Sequence, residues 1–97
     1  MKFDGFEWDS GNSAKCQKHG VSIDEIESLF LGTPLLAPDV LHSSKEQRFR
    51  AVGRTIKKRY LFIVFTLRNN GETLLIRPIS ARYMHTKEIK AHEKEIP

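Results

Sequence analysis

An internal disulfide takes two thiols, and this sequence of 97 residues has a single cysteine, Cys16, which also excludes a cysteine-based metal site. No uninterrupted apolar run approaches the roughly 20 residues of a membrane span. The opening MKFDGFEWD lacks the apolar core of a signal peptide, so the expected location is the cytoplasm, with no membrane contact. A Gly-rich phosphate loop and a nucleophile elbow are both missing, which argues against a nucleotide-driven enzyme. Four histidines are present, but no two of them have a metal-ligand spacing supported by acids or thiols, so neither metal nor cofactor is expected. There are no repeats and no low-complexity segments. The length suits one domain, residues 1–97, with one core.

The net charge of +4 is unevenly spread: residues 1–41 sum to −4, residues 42–83 to +8, and residues 84–97 to zero. The excess falls on the stretch richest in strand-forming residues. Such asymmetry suits a polyanionic partner, nucleic acid or an acidic protein segment.

That stretch is RYLFIVFTLRNNGETLLIRPISAR, from Arg59 to Arg82, in which two apolar runs flank Asn69-Asn70-Gly71-Glu72. Asn-Gly supplies the positive-φ pair of a tight hairpin. With Asn70 and Gly71 as the loop, Asn69 faces Glu72, Phe65 faces Ile76, and Leu61, Ile63, Phe65, Leu67, Leu74 and Ile76 share an apolar face. Arg68 and Arg77 fall on the other.

Along the rest of the chain, Lys2 to Trp8 reads as a short strand or arm, and Asp9 or Ser10 as the cap of a helix over Asn12 to Lys18. Val21-Ser22-Ile23-Asp24-Glu25-Ile26 carries a capping box, Ser22 with Glu25, before an apolar stripe of Ile23, Ile26, Leu29 and Phe30 that ends at Gly32. Pro34 and Pro38 keep the chain extended through Leu35, Leu36 and Val40, as an edge strand or a loop. From Arg48 to Ile56 arginines alternate with small or apolar residues. A three-residue loop, Lys57 to Arg59, sets Arg48 opposite Arg68 and Arg50 opposite Thr66, whereas a two-residue loop would press Arg50 onto Phe65, a costly burial. Arg48, Arg50, Arg54, Arg68 and Arg77 then share one face of an antiparallel meander. Ser80 is the expected cap of a last helix, 81–95, with Met84, Ile89, Ala91 and Ile96 as core contacts. The whole reads as an α+β domain with its helices on one face of the sheet.

Glu7-Trp8-Asp9, Lys18-His19-Gly20-Val21-Ser22, Phe30, Asp39, His42-Ser43-Ser44, Glu46, Arg48, Gly53, Thr66, Arg68 and Arg77-Pro78-Ile79-Ser80-Ala81-Arg82 stand in that order. This succession resembles the BrnT family of toxins. Pro78, where an aliphatic residue is expected, and His92, where an aromatic is expected, depart from its pattern. The resemblance implies a RelE-like fold, ribonuclease activity that halts translation, and a BrnA antitoxin that binds the toxin and represses their operon, so that operator DNA is met only through the antitoxin.

Metal-independent endoribonuclease chemistry needs a base, an acid and cations for the charge growing on phosphate. Arg48, Arg68, Arg77 and Arg82 are the expected phosphate contacts, with Glu46 or His42 as acid or base. Arg50, Arg54, Lys45, Lys57 and Lys58 are the expected RNA-binding residues. The same arginines also suit a noncatalytic nucleic-acid-binding regulator, or a module that docks an acidic antitoxin.

Overall fold

The chain begins as a two-residue strand β1 (Gly5–Phe6) and passes through helices α1 (Ser10–Gln17) and α2 (Ile23–Leu31) to an edge strand β2 (Leu35–Pro38) and a helical turn, Val40–His42. It ends in strands β3 (Phe49–Arg54), β4 (Tyr60–Asn69) and β5 (Leu74–Tyr83) and helix α3 (Thr86–Glu95). This computed structural model describes residues 2–95, except the side chains of His42 and Glu95. Ile96, expected in the core, lies outside the described residues.

The strands lie in the order β1-β5-β4-β3-β2. From β2 to β5 they form an antiparallel meander, but β1 runs parallel to β5, so the sheet is mixed rather than wholly antiparallel. The crossover through α1 and α2 separates β1 from the meander, and a parallel neighbour needs such a connection.

Both hairpins turn one residue away from the expected place. Asn70 N–H donates to Thr73 O at 2.9 Å with Gly71 at φ +88°, so Asn69 pairs with Leu74 rather than Glu72. Between β3 and β4, Thr55 N–H donates to Arg59 O, Lys58 takes φ +61°, and Arg50 faces Val64 rather than Thr66. Each register is displaced by an even step, which leaves every side chain on its expected face up to the middle of β5.

There the ladder breaks. Phe65 pairs with Pro78 and Val64 with Ser80, leaving Ile79 as an extra residue. Proline has no N–H to give the ladder, and a bulge accommodates that loss. The buried Asn12 of α1 fastens the site, its amide donating to Pro78 O and to Glu7 O, each at 2.9 Å.

α1 starts at Ser10 because Asp9 and Asn12 cap each other reciprocally, and α2 carries the expected Ser22–Glu25 box. Their apolar sides, with Cys16, Ile26, Leu29 and Phe30, bury Ala51, Leu61, Ile63, Phe65, Ile76 and Ala81. A Cβ on Gly53 would stand 2.7 Å from Leu29 Cδ1, so glycine there lets α2 lie close on β3.

The last helix departs from expectation twice. β5 runs on through Tyr83, with Ser80 inside the ladder rather than at a cap. α3 lies over the opposite face of the sheet from α1 and α2, its Glu88 on Arg82 and its His92 ring 5.6 Å from Tyr60. With Ile89 half-buried and Ala91 exposed, its sequence has too few apolar positions to join the main core.

Candidate functional site

The face opposite α1 and α2 is arranged in rows set by strand pairing. Arg77 pairs with Thr66, Arg50 with Val64 and Val64 with Ser80, Val52 with Phe62 and Phe62 with Arg82, and Arg54 with Tyr60. All of these β4 partners have even numbers, so Arg50, Arg54, Arg77 and Arg82 project on one side, together with Arg68. Without the extra residue at Ile79, Arg82 would fall on the side of the main core.

Among the described residues, four carboxylates hold Arg48, Arg68, Arg77 and Arg82. Glu46 accepts from Arg68 at 2.7 Å and stands 3.9 Å from Arg48. Glu7 lies 3.5 Å from Arg68 and 3.2 Å from Arg77, and Asp9 lies 3.0 Å from Arg77. The result is one alternating chain, Arg48–Glu46–Arg68–Glu7–Arg77–Asp9. At the other end of the face, Glu88 takes both terminal nitrogens of Arg82, at 2.8 and 2.9 Å, while the guanidinium lies 4.7 Å over the Phe62 ring.

The charges respond to these contacts. The Arg68 hydrogen bond holds Glu46 below the usual carboxylate range, and the Asn12 N–H, then Arg77, does the same for Asp9. The two Arg82 hydrogen bonds, followed by the His85 N–H, bring Glu88 down to about 2. Solvent-exposed ion pairs contribute little to stability, about 0–1 kcal/mol each, so their main effect is to fix where the guanidinium groups point.

The expected catalytic set therefore divides. Arg48, Arg68, Arg77 and Glu46 come together; Arg82 stands four β4 residues along the strand from Arg77, roughly 13 Å away at ~3.3 Å per residue. His42 lies in the turn before this cluster, and its side chain lies outside the described residues. Arg50, exposed between the two groups, pairs with no carboxylate among the described residues. Arg54 lies 5.9 Å from the Tyr60 ring and donates to Lys58 O. Lys45 is exposed beside Glu46, and Lys58 is exposed in the β3–β4 turn. Lys57 is placed elsewhere, its ammonium 3.7 Å from the buried Glu25.

The family model for the ribonuclease toxin BrnT, of type II toxin-antitoxin systems, matches residues 8–88. The chain belongs to this family. No curated protein matches its sequence.

The matched span of this BrnT chain holds every arginine of the face and three of its carboxylates, Asp9, Glu46 and Glu88. Sequence reasoning missed Glu7, Asp9 and Glu88 as braces. Glu7 and Asp9 are two apart on an extended arm and so point the same way, a signal that was present. Glu88 carries a second one, since its carboxylate accepts the His85 N–H three residues back, as the third residue of a capped helix does. Among the described residues, no group of three His, Cys, Asp or Glu side chains is placed to hold a metal ion. None of the described helices is long and apolar enough to cross a membrane.

Other polar side chains have structural partners. Trp8 Nε1 donates to Glu27 at 2.9 Å and its ring packs against the core. Burial alone would raise the Glu25 pKa, but hydrogen bonds from Tyr83 and the Ser22 N–H hold it low.

Proposed function

We propose that this chain is a metal-independent endoribonuclease toxin, acting in the cytoplasm to cut RNA and halt translation, on a RelE-like scaffold. The observation that carries the reading is the arginine face itself, aligned by the Ile79 bulge and held by carboxylates. The 2′-oxygen attacks the neighbouring phosphorus, the bond to the 5′-oxygen breaks, and negative charge grows on the phosphoryl oxygens. Preoriented guanidinium groups are suited to that charge, offering paired donors without reorganisation.

Arg68 and Arg77 are the central phosphate contacts in this reading, with Arg48 beside them and Arg82 and Arg50 on the adjoining nucleotide. Glu46 is held ionised and takes the 2′-hydroxyl proton; His42, in the preceding turn, returns a proton to the 5′-oxygen. The carboxylates of the face are occupied by guanidinium groups, which supports charge stabilisation by arginine rather than by a metal. A BrnA-like antitoxin neutralises the toxin and carries the complex to operator DNA.

One observation favours a second reading. Glu46, the proposed base on the face, has a lowered pKa, which weakens it as a proton acceptor, and a noncatalytic RNA-binding regulator has no need of one. Inducing the chain alone in a bacterial host, beside Arg82→Ala, separates the two. Growth arrest with fragmented bulk RNA, relieved by the substitution, supports the nuclease; arrest with intact RNA supports the regulator.

A further inference from the structure

The basic face is largely neutralised from within, and a different surface is left incomplete. Of the six large apolar side chains most exposed among the described residues, four lie within seven positions of chain: Leu35 at 43%, Leu36 at 42%, Val40 at 84% and Leu41 at 91% exposure. They occupy the outer edge of the sheet, on β2 and the turn after it. Leu35 pairs with Val52 and Leu36 with Ala51, so β2 shows apolar side chains on both faces of the sheet. Beside them an open groove of about 430 Å³ runs between the sheet and α3, lined by Leu35, Phe62 and Met84 with Arg50 among its walls. A concentration of exposed apolar groups of this kind marks an interaction surface.

Charge selects the occupant. Arg50 pairs with Ala37 of β2 and has no carboxylate of its own among the described residues, and the chain carries +4 overall. A second copy of the chain seated here would bring like charges together. A partner with an apolar strip and an acidic residue at its border satisfies both features. Pro34 precedes β2 and Pro38 is its last residue, so the edge offers few backbone donors for an added strand, and side-chain contacts must supply the recognition.

We infer that this apolar edge is the docking surface of the antitoxin, whose amphipathic segment covers Leu35, Leu36, Val40 and Leu41 and sets a carboxylate on Arg50. This rests on the toxin reading above. It also supplies a mode of neutralisation: the antitoxin takes an arginine at the face's centre that no carboxylate among the described residues pairs, and so competes with RNA there.

The test is binding of the purified chain to the antitoxin from the adjoining reading frame, and separately to a short RNA, both read by titration without cleavage. Removing such anchors costs about 2 kcal/mol or more, so Val40→Ser with Leu41→Ser, which leaves the charge unaltered, should weaken antitoxin binding roughly 30-fold or more while leaving RNA affinity unchanged. Arg50→Ala should weaken both, and Ile56→Ser, an exposed apolar control in the β3–β4 turn that leaves the charge unaltered, should weaken neither. Leu41→Ser gives the same reading should the double variant fail to fold. Unchanged antitoxin affinity in the patch variants overturns the inference. So does loss of RNA affinity alone, which would make the patch an RNA surface, or conversion of a dimer to a monomer with antitoxin affinity intact. Because no cleavage is read, a toxin that never cuts RNA would defeat the nuclease reading while leaving this result standing.

Discussion

Arg77 and Arg82 lie five positions apart on one strand and yet project from the same side of the sheet, because Ile79 is an unpaired extra residue between them. In an unbroken strand an odd separation puts two side chains on opposite faces. Pro78 removes a ladder donor, the bulge follows, and an arginine otherwise directed into the core is delivered to the basic face.

Asn12 fastens the bulge to α1. Its amide holds the carbonyls of Glu7 and Pro78 from within the fold, and replacing it with leucine leaves both acceptors without that donor. Asn12→Leu should cost about 1–3 kcal/mol, seen as a lower denaturant midpoint at an unchanged slope. A midpoint equal to wild type would show that the bulge stands without it.

Cys16 is fully buried, and burial pushes its thiol up to about 11. The thiolate is the reactive form, so a thiol reagent should leave the folded chain untouched at neutral pH and label it fully once denatured. Rapid labelling of folded protein would contradict the packing of α1 on the sheet.

Glu88 supplies a pH dependence with a definite sign. Arg82 holds its pKa down from 4.5 to about 2, so its contribution is fully present above pH 4.5 and is lost as pH falls through 2. The stability difference between wild type and Glu88→Gln should shrink across that interval. A difference that stays constant down to pH 2 would mean that the Arg82 brace does not stabilise the fold.

The parts of the fold legible in the sequence were those fixed by parity and by caps. Burying Leu61, Ile63 and Phe65 demands a β3–β4 turn of the parity that keeps Arg50 off Phe65, wherever along the chain the turn falls, and Ser22 with Glu25 announces α2 directly. Register was not legible, because Asn-Gly is compatible with a turn over Asn70-Gly71 and with the turn over Gly71-Glu72, closed by Asn70 and Thr73, that actually forms. The bulge was half visible in Pro78. The position of α3 was hidden, since its contacts, Glu88 with Arg82 and His92 with Tyr60, are polar and aromatic pairs that leave no apolar periodicity. Likewise the arginines of the face were evident, while the division of Arg82 from Arg68 and Arg77 appears only once the strands are aligned.

Cleavage of RNA by the purified chain in excess EDTA, with Arg77→Ala and Arg82→Ala beside it, tests the central claim most directly. Loss of one preorganised charge contact on a transition state costs about 10²–10³-fold in rate. The account predicts cutting by the wild type that EDTA does not diminish, and a fall of that size in each variant with its circular dichroism unchanged. Cleavage that requires added magnesium, or well-folded variants that cut as fast as the wild type, would contradict it.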